Sequence, residues 1–279
     1  MKFIKMHGIG NDYIFVNCFE EQVREPEKLA IALSNRHFGV GGDGLILIKP
    51  TGSHADAKME IYNADGSRAQ MCGNGIRCVA WYVFYYKKLE RDNVYIEADD
   101  STVKSIYLKR NGYNVETITV NMGRPRLKSI EVPIIISGKE AVIGEIVKFR
   151  DAEFKITCVN MGNPHCVIFV NDFESDSPEK YGSLIENSIE IFPERVNAEF
   201  VRVVTRKYCR MRVWERGSGV TLACGTGACA VVVAGVLNGL LDREVTVELD
   251  GGILTIKWDE ETGEVLMTGD VKKVFVGEI

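Results

Sequence analysis

Ala223-Cys224-Gly225-Thr226-Gly227-Ala228-Cys229-Ala230 has a partner earlier in the chain, Met71-Cys72-Gly73-Asn74-Gly75-Ile76-Arg77-Cys78. Each stretch reads Cys-Gly-polar-Gly, then a second cysteine, then a long apolar run: Val79 to Tyr86 after the first, Ala230 to Leu237 after the second. A helix that begins at such glycines leaves its first amides without intrahelical acceptors and lets a ligand approach the backbone closely, which favours an anion such as a carboxylate. The same positive helix end lowers the pKa of a thiol. A helix that is apolar on every face must be surrounded by protein, so the repeat predicts two domains, each a shell of strands around one helix. One cysteine at each helix start can then face the other across a single bound molecule, one as thiolate base and the other as thiol acid.

The sequence flanking both motifs reads as strands. In the first half these are Lys2 to Met6, Tyr13 to Asn17, Leu45 to Ile48, Ala57 to Tyr62, Val94 to Ala98, Val103 to Leu108 and Val115 to Val120, with one surface helix over Pro26 to Ser34. In the second half they are Ala141 to Val147, Phe154 to Val159, Cys166 to Val170, Phe200 to Val204, Arg210 to Trp214, Val245 to Leu249, Leu254 to Trp258 and Val265 to Thr268. The expected fold class is α+β: two similar domains, each a curled antiparallel β-barrel around a central apolar α-helix. The glycine and proline of Asn121-Met122-Gly123-Arg124-Pro125 mark a boundary. The expected domains are 1–120 and 121–265, with about 266–279 crossing back to complete the first.

At 279 residues the chain is long enough for both domains to bury a core of their own. A formal net charge of −5 with no basic patch argues against nucleic acid and for a small-molecule partner. Met1 to His7 has no apolar run of signal-peptide length and no stretch of about 18 apolar residues occurs, so a cytoplasmic setting is expected and no membrane association. Eight cysteines raise the question of a disulfide framework or a metal site. No Cys-x2-Cys and no close Cys/His pair has zinc spacing, so no metal is expected. Cys18, Cys158, Cys166 and Cys209 lie in apolar alternating runs and read as buried small hydrophobes.

Several polar turns lie between the strands: His7-Gly8-Ile9-Gly10-Asn11-Asp12, the glycine-rich Arg36 to Gly44, Asn63-Ala64-Asp65-Gly66-Ser67, Asn160 to His165, Pro193 to Asn197, and Trp214 to Gly219. Taken singly, Asn63, Asn163 and Asn197 are ordinary turn residues, His165 a satisfied core histidine, and Glu215 with Arg216 a surface pair. The glycine-rich loop lacks the Gly-Lys-Ser/Thr ending of a P-loop. No Ser-His-Asp order and no glycosidase-like carboxylate pair competes with the repeated cysteines.

Together these motifs make the sequence resemble the diaminopimelate epimerases, of the cofactor-independent amino-acid racemase superfamily, along essentially its whole length. The matching residues are His-Gly-Ile-Gly-Asn-Asp at 7–12, Tyr-Asn-Ala-Asp-Gly-Ser at 62–67, Cys-Gly-Asn-Gly-Ile-Arg at 72–77, Met-Gly-Asn-Pro-His-Cys at 161–166, Glu-Arg-Gly at 215–217 and Ala-Cys-Gly-Thr-Gly-Ala at 223–228. The resemblance implies an isomerase of lysine and peptidoglycan-precursor biosynthesis that interconverts LL- and meso-diaminopimelate, with the substrate in a cleft between the domains. It implies Cys72 and Cys224 as the two proton carriers and His165 and Glu215 as residues that tune the thiols. Gly73, Asn74, Gly225 and Thr226 would hold the reacting carboxylate, and Asn11, Asn63, Asn163, Asn197, Glu215 and Arg216 the rest of the zwitterion. It also implies a homodimer. Nothing in the chain resembles a pyridoxal phosphate site, so no cofactor is expected.

One position departs from the family pattern, which usually has glutamine after the loop aspartate, where Gly44 follows Asp43 here. Loss of that amide leads us to expect weaker discrimination against lysine, with a side activity on it. Three rivals are a dithiol redox switch at Cys72 and Cys224, told apart by whether the disulfide form is active or inert, an amino-acid binding module, which has no use for two thiols, and a proline-type racemase within the superfamily. The paired amino and carboxyl groups of a distal centre account for the extra Asn, Glu and Arg better than a proline ring does.

Overall fold

Strands too far apart in sequence to hairpin must be joined by crossovers, and a helix long enough to make one leaves its two strands parallel. This happens four times in the chain. The computed structural model describes residues 1–69, 71–150 and 152–279. Contacts gather them into two compact units, Met1–Asn121 with Thr268–Ile279, and Met122–Met267.

In the first unit β1 (Lys2–Gly8) turns through Ile9 and Gly10 into antiparallel β2 (Asn11–Asn17). Helix α1 (Pro26–Ser34) carries the chain to β3 (Gly44–Lys49), which lies parallel to β2. Antiparallel β4 (Ala57–Asn63) and the short β5 (Arg68–Ala69) follow. Helix α2 (Gly73–Tyr86) then crosses to β6 (Asn93–Glu97), parallel to β4, and β7 (Val103–Asn111) and β8 (Asn114–Gly123) extend the ladder antiparallel. Helix α2 packs against β1, β2, β4, β6 and β7, so the sheet curls around it. The outer face of β2 and β3 is covered too: Ile14, Val16, Leu45 and Leu47 pack with Ala30 and Leu33 of α1. Both faces of these strands are therefore apolar, as a parallel pair requires.

The second unit repeats the order. After β9 (Ile143–Phe149) come antiparallel β10 (Ala152–Asn160) and β11 (Pro164–Phe169). Helix α3 (Pro178–Glu186) crosses to β12 (Asn197–Thr205), parallel to β11, and β13 (Tyr208–Glu215) and β14 (Gly219–Thr221) follow antiparallel. Helix α4 (Gly225–Leu237) crosses to β15 (Glu244–Leu249), parallel to β13, before antiparallel β16 (Gly252–Trp258) and then β17 (Val265–Gly269). Helix α4 packs against β10, β11, β12, β15 and β16, while the outer face is filled by Phe149, Phe154, Phe192 and Phe200 with Ile185 of α3. The chain then returns to the first unit as β18 (Lys272–Glu278), antiparallel to β1.

The curled sheet around one helix is the architecture expected from the motifs, with two corrections. Four strand pairs are parallel rather than antiparallel, because α1 to α4 are crossovers. Among the described residues no pair joins the β18 end of the first ladder to its β8 end, so the sheet is open and not a closed barrel. Helix α2 also departs from full burial: Trp81, Tyr82, Tyr85 and Tyr86 are half-buried and stack on one another, with ring centroids 4.7 Å apart for Trp81 and Tyr85 and 5.6 Å for Tyr82 and Tyr86. Helix α4 has no such stripe and is buried from Gly227 to Gly235. No helix of the described residues is long and apolar enough to cross a membrane.

Candidate active site

The two helix starts are built alike. Cys72 is the N-cap of α2, extended at φ −137° and ψ 111°, and Cys224 is the N-cap of α4 at φ −123° and ψ 108°. Each thiol sulfur accepts a hydrogen bond from the amide three residues on, Gly75 N at 3.2 Å and Gly227 N at 3.3 Å. The third helical residue is glycine in both because the sheet lies so close. A Cβ on Gly75 would come within 2.6 Å of Ile46 Cδ1, and one on Gly227 within 2.8 Å of Glu199 Oε1. With the third amide taken by sulfur, helix geometry leaves the amides of Gly73 and Asn74, and of Gly225 and Thr226, without intrahelical acceptors and pointed outward along the axis. Each start thus combines a thiol, two donors and the positive end of a helix dipole.

In the first unit Asn11 joins this group. Its Oδ1 accepts from the Cys72 thiol at 3.2 Å, and its Nδ2 donates to Asp43 at 2.8 Å. Asp43 is held by Arg36 at 2.9 Å, and Arg36 also pairs with Asp12 at 2.7 Å. Burial alone would raise the Asp12 carboxyl, but Arg36 and Lys5 outweigh it and hold it below the usual carboxylate range. Asn74 is fixed by Arg77, a fully buried guanidinium that donates to Asn74 Oδ1 at 2.9 Å. Asn63 bonds within its own turn, its Nδ2 donating to Ser67 Oγ at 3.0 Å. Gly44 opens β3 opposite Asn63, and a Cβ there would meet the Tyr62 carbonyl oxygen at 2.2 Å. A side chain fits at 44 only if the backbone moves.

In the second unit Asn163 of the β10–β11 turn, His165 of β11, Glu199 of β12 and Cys224 at the cap of α4 come together. His165 is fully buried, with Nε2 2.9 Å from Asn163 Oδ1 and Nδ1 2.6 Å from Glu199 Oε1. Glu199 is fully buried as well, and its Oε2 has no hydrogen-bond partner. Asn197 spans two turns, donating to the Pro164 carbonyl at 2.9 Å and accepting from the Arg216 amide at 2.8 Å. The Arg216 guanidinium is exposed and donates to the Glu194 carbonyl at 2.8 Å. Glu215 accepts from the Thr221 hydroxyl, yet burial raises its carboxyl above the ordinary range. Cys224 also lies 3.5 Å from Thr226 Oγ1. Burial, reinforced by the charges of Glu215 and Glu199, raises its thiol well above the ordinary value against the pull of Thr226 and Gly227. In this state Cys224 carries its proton at neutral pH.

Other cysteines lie in buried or half-buried positions away from the helix starts. Burial pushes the thiols of Cys78 and Cys209 up to about 12, and Cys158 and Cys166, directly opposite each other on β10 and β11, are buried. Cys18 is half-buried, with its thiol also raised by burial.

The residue missing from the sequence reading is Glu199. Its signal lies in alternation: Asn197 and Glu199 are polar at a spacing of two in the first half of the strand, which puts both on the face turned to α4. Arg77 and Asp43 were likewise unassigned, because a buried arginine and a loop aspartate look like structural residues until their partners are seen.

The model of the diaminopimelate epimerase family matches residues 3–128 and 157–274. A diaminopimelate epimerase of Acetivibrio thermocellus is 50% identical over 279 residues, covering 100% of this chain and 98% of the relative. One of Methanococcus maripaludis is 45% identical over 279 residues, covering 100% and 99%. Among solved structures, a phenazine biosynthesis protein of the PhzF family from Bacillus anthracis superposes with a TM-score of 0.71 at 15% identity, covering 100% of this chain and 98% of the other. A probable proline racemase from Agrobacterium radiobacter has the same TM-score of 0.71 at 12% identity, with 100% and 92% covered. These two likenesses establish the fold, and the match of sequence along the whole chain establishes the rest: the chain belongs to the diaminopimelate epimerase family.

Proposed function

We propose that this chain interconverts LL- and meso-diaminopimelate without a cofactor, one cysteine removing the α-proton and the other returning a proton to the opposite face. The observation that carries the reading is the matched pair of helix starts, each with a thiol at the cap and two outward amides beside it. An α-proton of an amino acid is very weakly acidic. Inverting the centre therefore needs a base, an acid and donors for the enediolate-like charge that develops on the carboxylate. Cys72 and Cys224 supply the first two, and the amides of Gly73, Asn74, Gly225 and Thr226 the third. The raised thiol of Cys224 supports its starting as the acid. Glu215 and His165 are assigned to tuning that thiol, and Asn11, Asn63, Asn163, Asn197 and Arg216 to binding the zwitterion.

The same reading carries a homodimer in the cytoplasm, where the reducing pool keeps both thiols reduced. Sedimentation velocity decides between one and two chains per particle. The function is tested by incubating the reduced protein in deuterated water with LL- or meso-diaminopimelate, lysine and proline, and following deuterium at each α-carbon. Exchange with inversion is expected for diaminopimelate, far slower exchange for lysine and none for proline. Inert diaminopimelate overturns the assignment, and inert lysine overturns the side activity alone.

A further inference from the structure

One nitrogen, one carboxylate oxygen and one sulfur, from His165, Glu199 and Cys224, lie within 4.8 Å of one another in the second unit, and all three residues are buried. Nitrogen, oxygen and thiolate are the ligand set of zinc, and three protein ligands leave a fourth position for water. We propose that these side chains form a binding site for a thiophilic divalent cation of the zinc class, and that its occupation takes Cys224 out of proton transfer.

Two further observations support the site. Glu199 Oε2 is buried without a hydrogen-bond partner, a costly state for a carboxylate oxygen that a cation relieves. The supporting shell is also in place. Asn163 Oδ1, 2.9 Å from His165 Nε2, accepts that N–H and leaves Nδ1 to ligate. The 2.6 Å contact between His165 Nδ1 and Glu199 Oε1 opens to roughly the 3.3 Å that two ligands subtend at a tetrahedral metal. The cation displaces two protons to solvent, the one shared in that contact and the one on Cys224, and no group is oxidised or reduced.

Among the described residues the internal repeat offers no second such site. Parallel β2 and β3 pair Tyr13 with Gly44 as β11 and β12 pair His165 with Asn197. Counting along each ladder, Tyr13 stands where His165 does and Ile46 where Glu199 does, each of the latter two against the third glycine of its helix. Cys72 therefore has the thiol and cap of Cys224 but neither co-ligand.

The capture of the cation rests on this geometry. The inhibition rests in addition on the proposed role of Cys224. The reduced, chelator-treated full chain is titrated anaerobically with cobalt(II), and the near-ultraviolet thiolate-to-cobalt absorption is followed, with zinc(II) as competitor. We expect one equivalent bound, the band displaced by zinc, retained in Cys72→Ser and absent in Cys224→Ser. In Glu199→Gln, which keeps size and shape, affinity falls by about tenfold or more. Circular dichroism confirms that each variant is folded. No band in the wild-type chain, a band that survives Cys224→Ser, or full affinity in folded Glu199→Gln overturns the site. Zinc at matching concentrations abolishes epimerisation, and a chelator restores it. A bound cation that leaves epimerisation unchanged sustains the site and overturns the catalytic assignment of Cys224.

Discussion

Cys72 and Cys224 differ from the other six cysteines in one local respect: each caps a helix and accepts an amide through its sulfur. Cys72→Ala and Cys224→Ala are expected to lower kcat/KM on the order of 10²- to 10⁴-fold each, and the double variant little further, since the two act as a unit. Cys78→Ala, which removes a buried thiol pushed up to about 12, should leave the rate within a few-fold. Steady-state rates in both directions check this. Asp12 gives a pH signature of stability. Its carboxyl is depressed in the folded chain by Arg36 and Lys5, against burial, so its stabilisation is present above the ordinary carboxylate value near 4 and is lost as pH falls through the folded value. Asp12→Asn should cost roughly 1–3 kcal/mol between pH 5 and 8, and the gap should close below about pH 4, read by urea unfolding at each pH. The cysteines were legible in the sequence because they recur in one motif. Glu199 was not, because a lone acid becomes informative only once its strand face is known, and zinc spacing misses ligands that three separate elements bring together.

At the scale of the element, the third glycine of each central helix sets how near the sheet can come. Alanine at 75 meets Ile46 Cδ1, the end of a flexible side chain, at 2.6 Å and Cys72 Sγ at 3.4 Å, whereas alanine at 227 meets Glu199 Oε1 at 2.8 Å and Cys224 Sγ at 3.2 Å. Both substitutions should cost about 1–3 kcal/mol of stability by overpacking, measured by urea unfolding. Gly227→Ala should in addition lower kcat severalfold more than Gly75→Ala, because it pushes the carboxylate away from His165. Equal kcat losses would show that this carboxylate does not position the chemistry. Most elements could be read from alternation and apolar runs, but α3 could not: Pro178 to Glu186 is short, mixed in polarity and carries Gly182 at its centre, which depresses helix propensity. Its absence from the reading also hid the parallel pairing of β11 with β12, since periodicity identifies strands but not their neighbours. The half-buried stripe of Trp81, Tyr82, Tyr85 and Tyr86 escaped because Trp and Tyr, each an apolar body with a polar tip, sit as readily at a surface as in a core.

On the scale of the molecule, the first unit is completed by a strand that arrives last. β18 pairs with β1 from Lys2 opposite Glu278 to His7 opposite Lys272, and Phe275 meets Phe3 edge-on with centroids 6.0 Å apart. A chain ending at Gly269 leaves β1 as an unpaired edge with Phe3 uncovered. Hydrogen exchange should show β1 and β2 amides losing protection by at least about tenfold, while those of β12 and β13 keep theirs. Uniform loss in both units would mean that they unfold as one. The order of elements from β1 to β8 recurs from β10 to β17, with the same crossovers and the same cysteine cap. Encoding the pattern twice in one polypeptide has a consequence that a self-pairing half-length chain could not share. In such a dimer any substitution appears in both copies, so an acid beside one thiol is an acid beside the other. Here the codons are separate, and isoleucine at 46 can coexist with glutamate at 199. A single chain that carries both copies thus leaves the surroundings of each thiol free to vary independently.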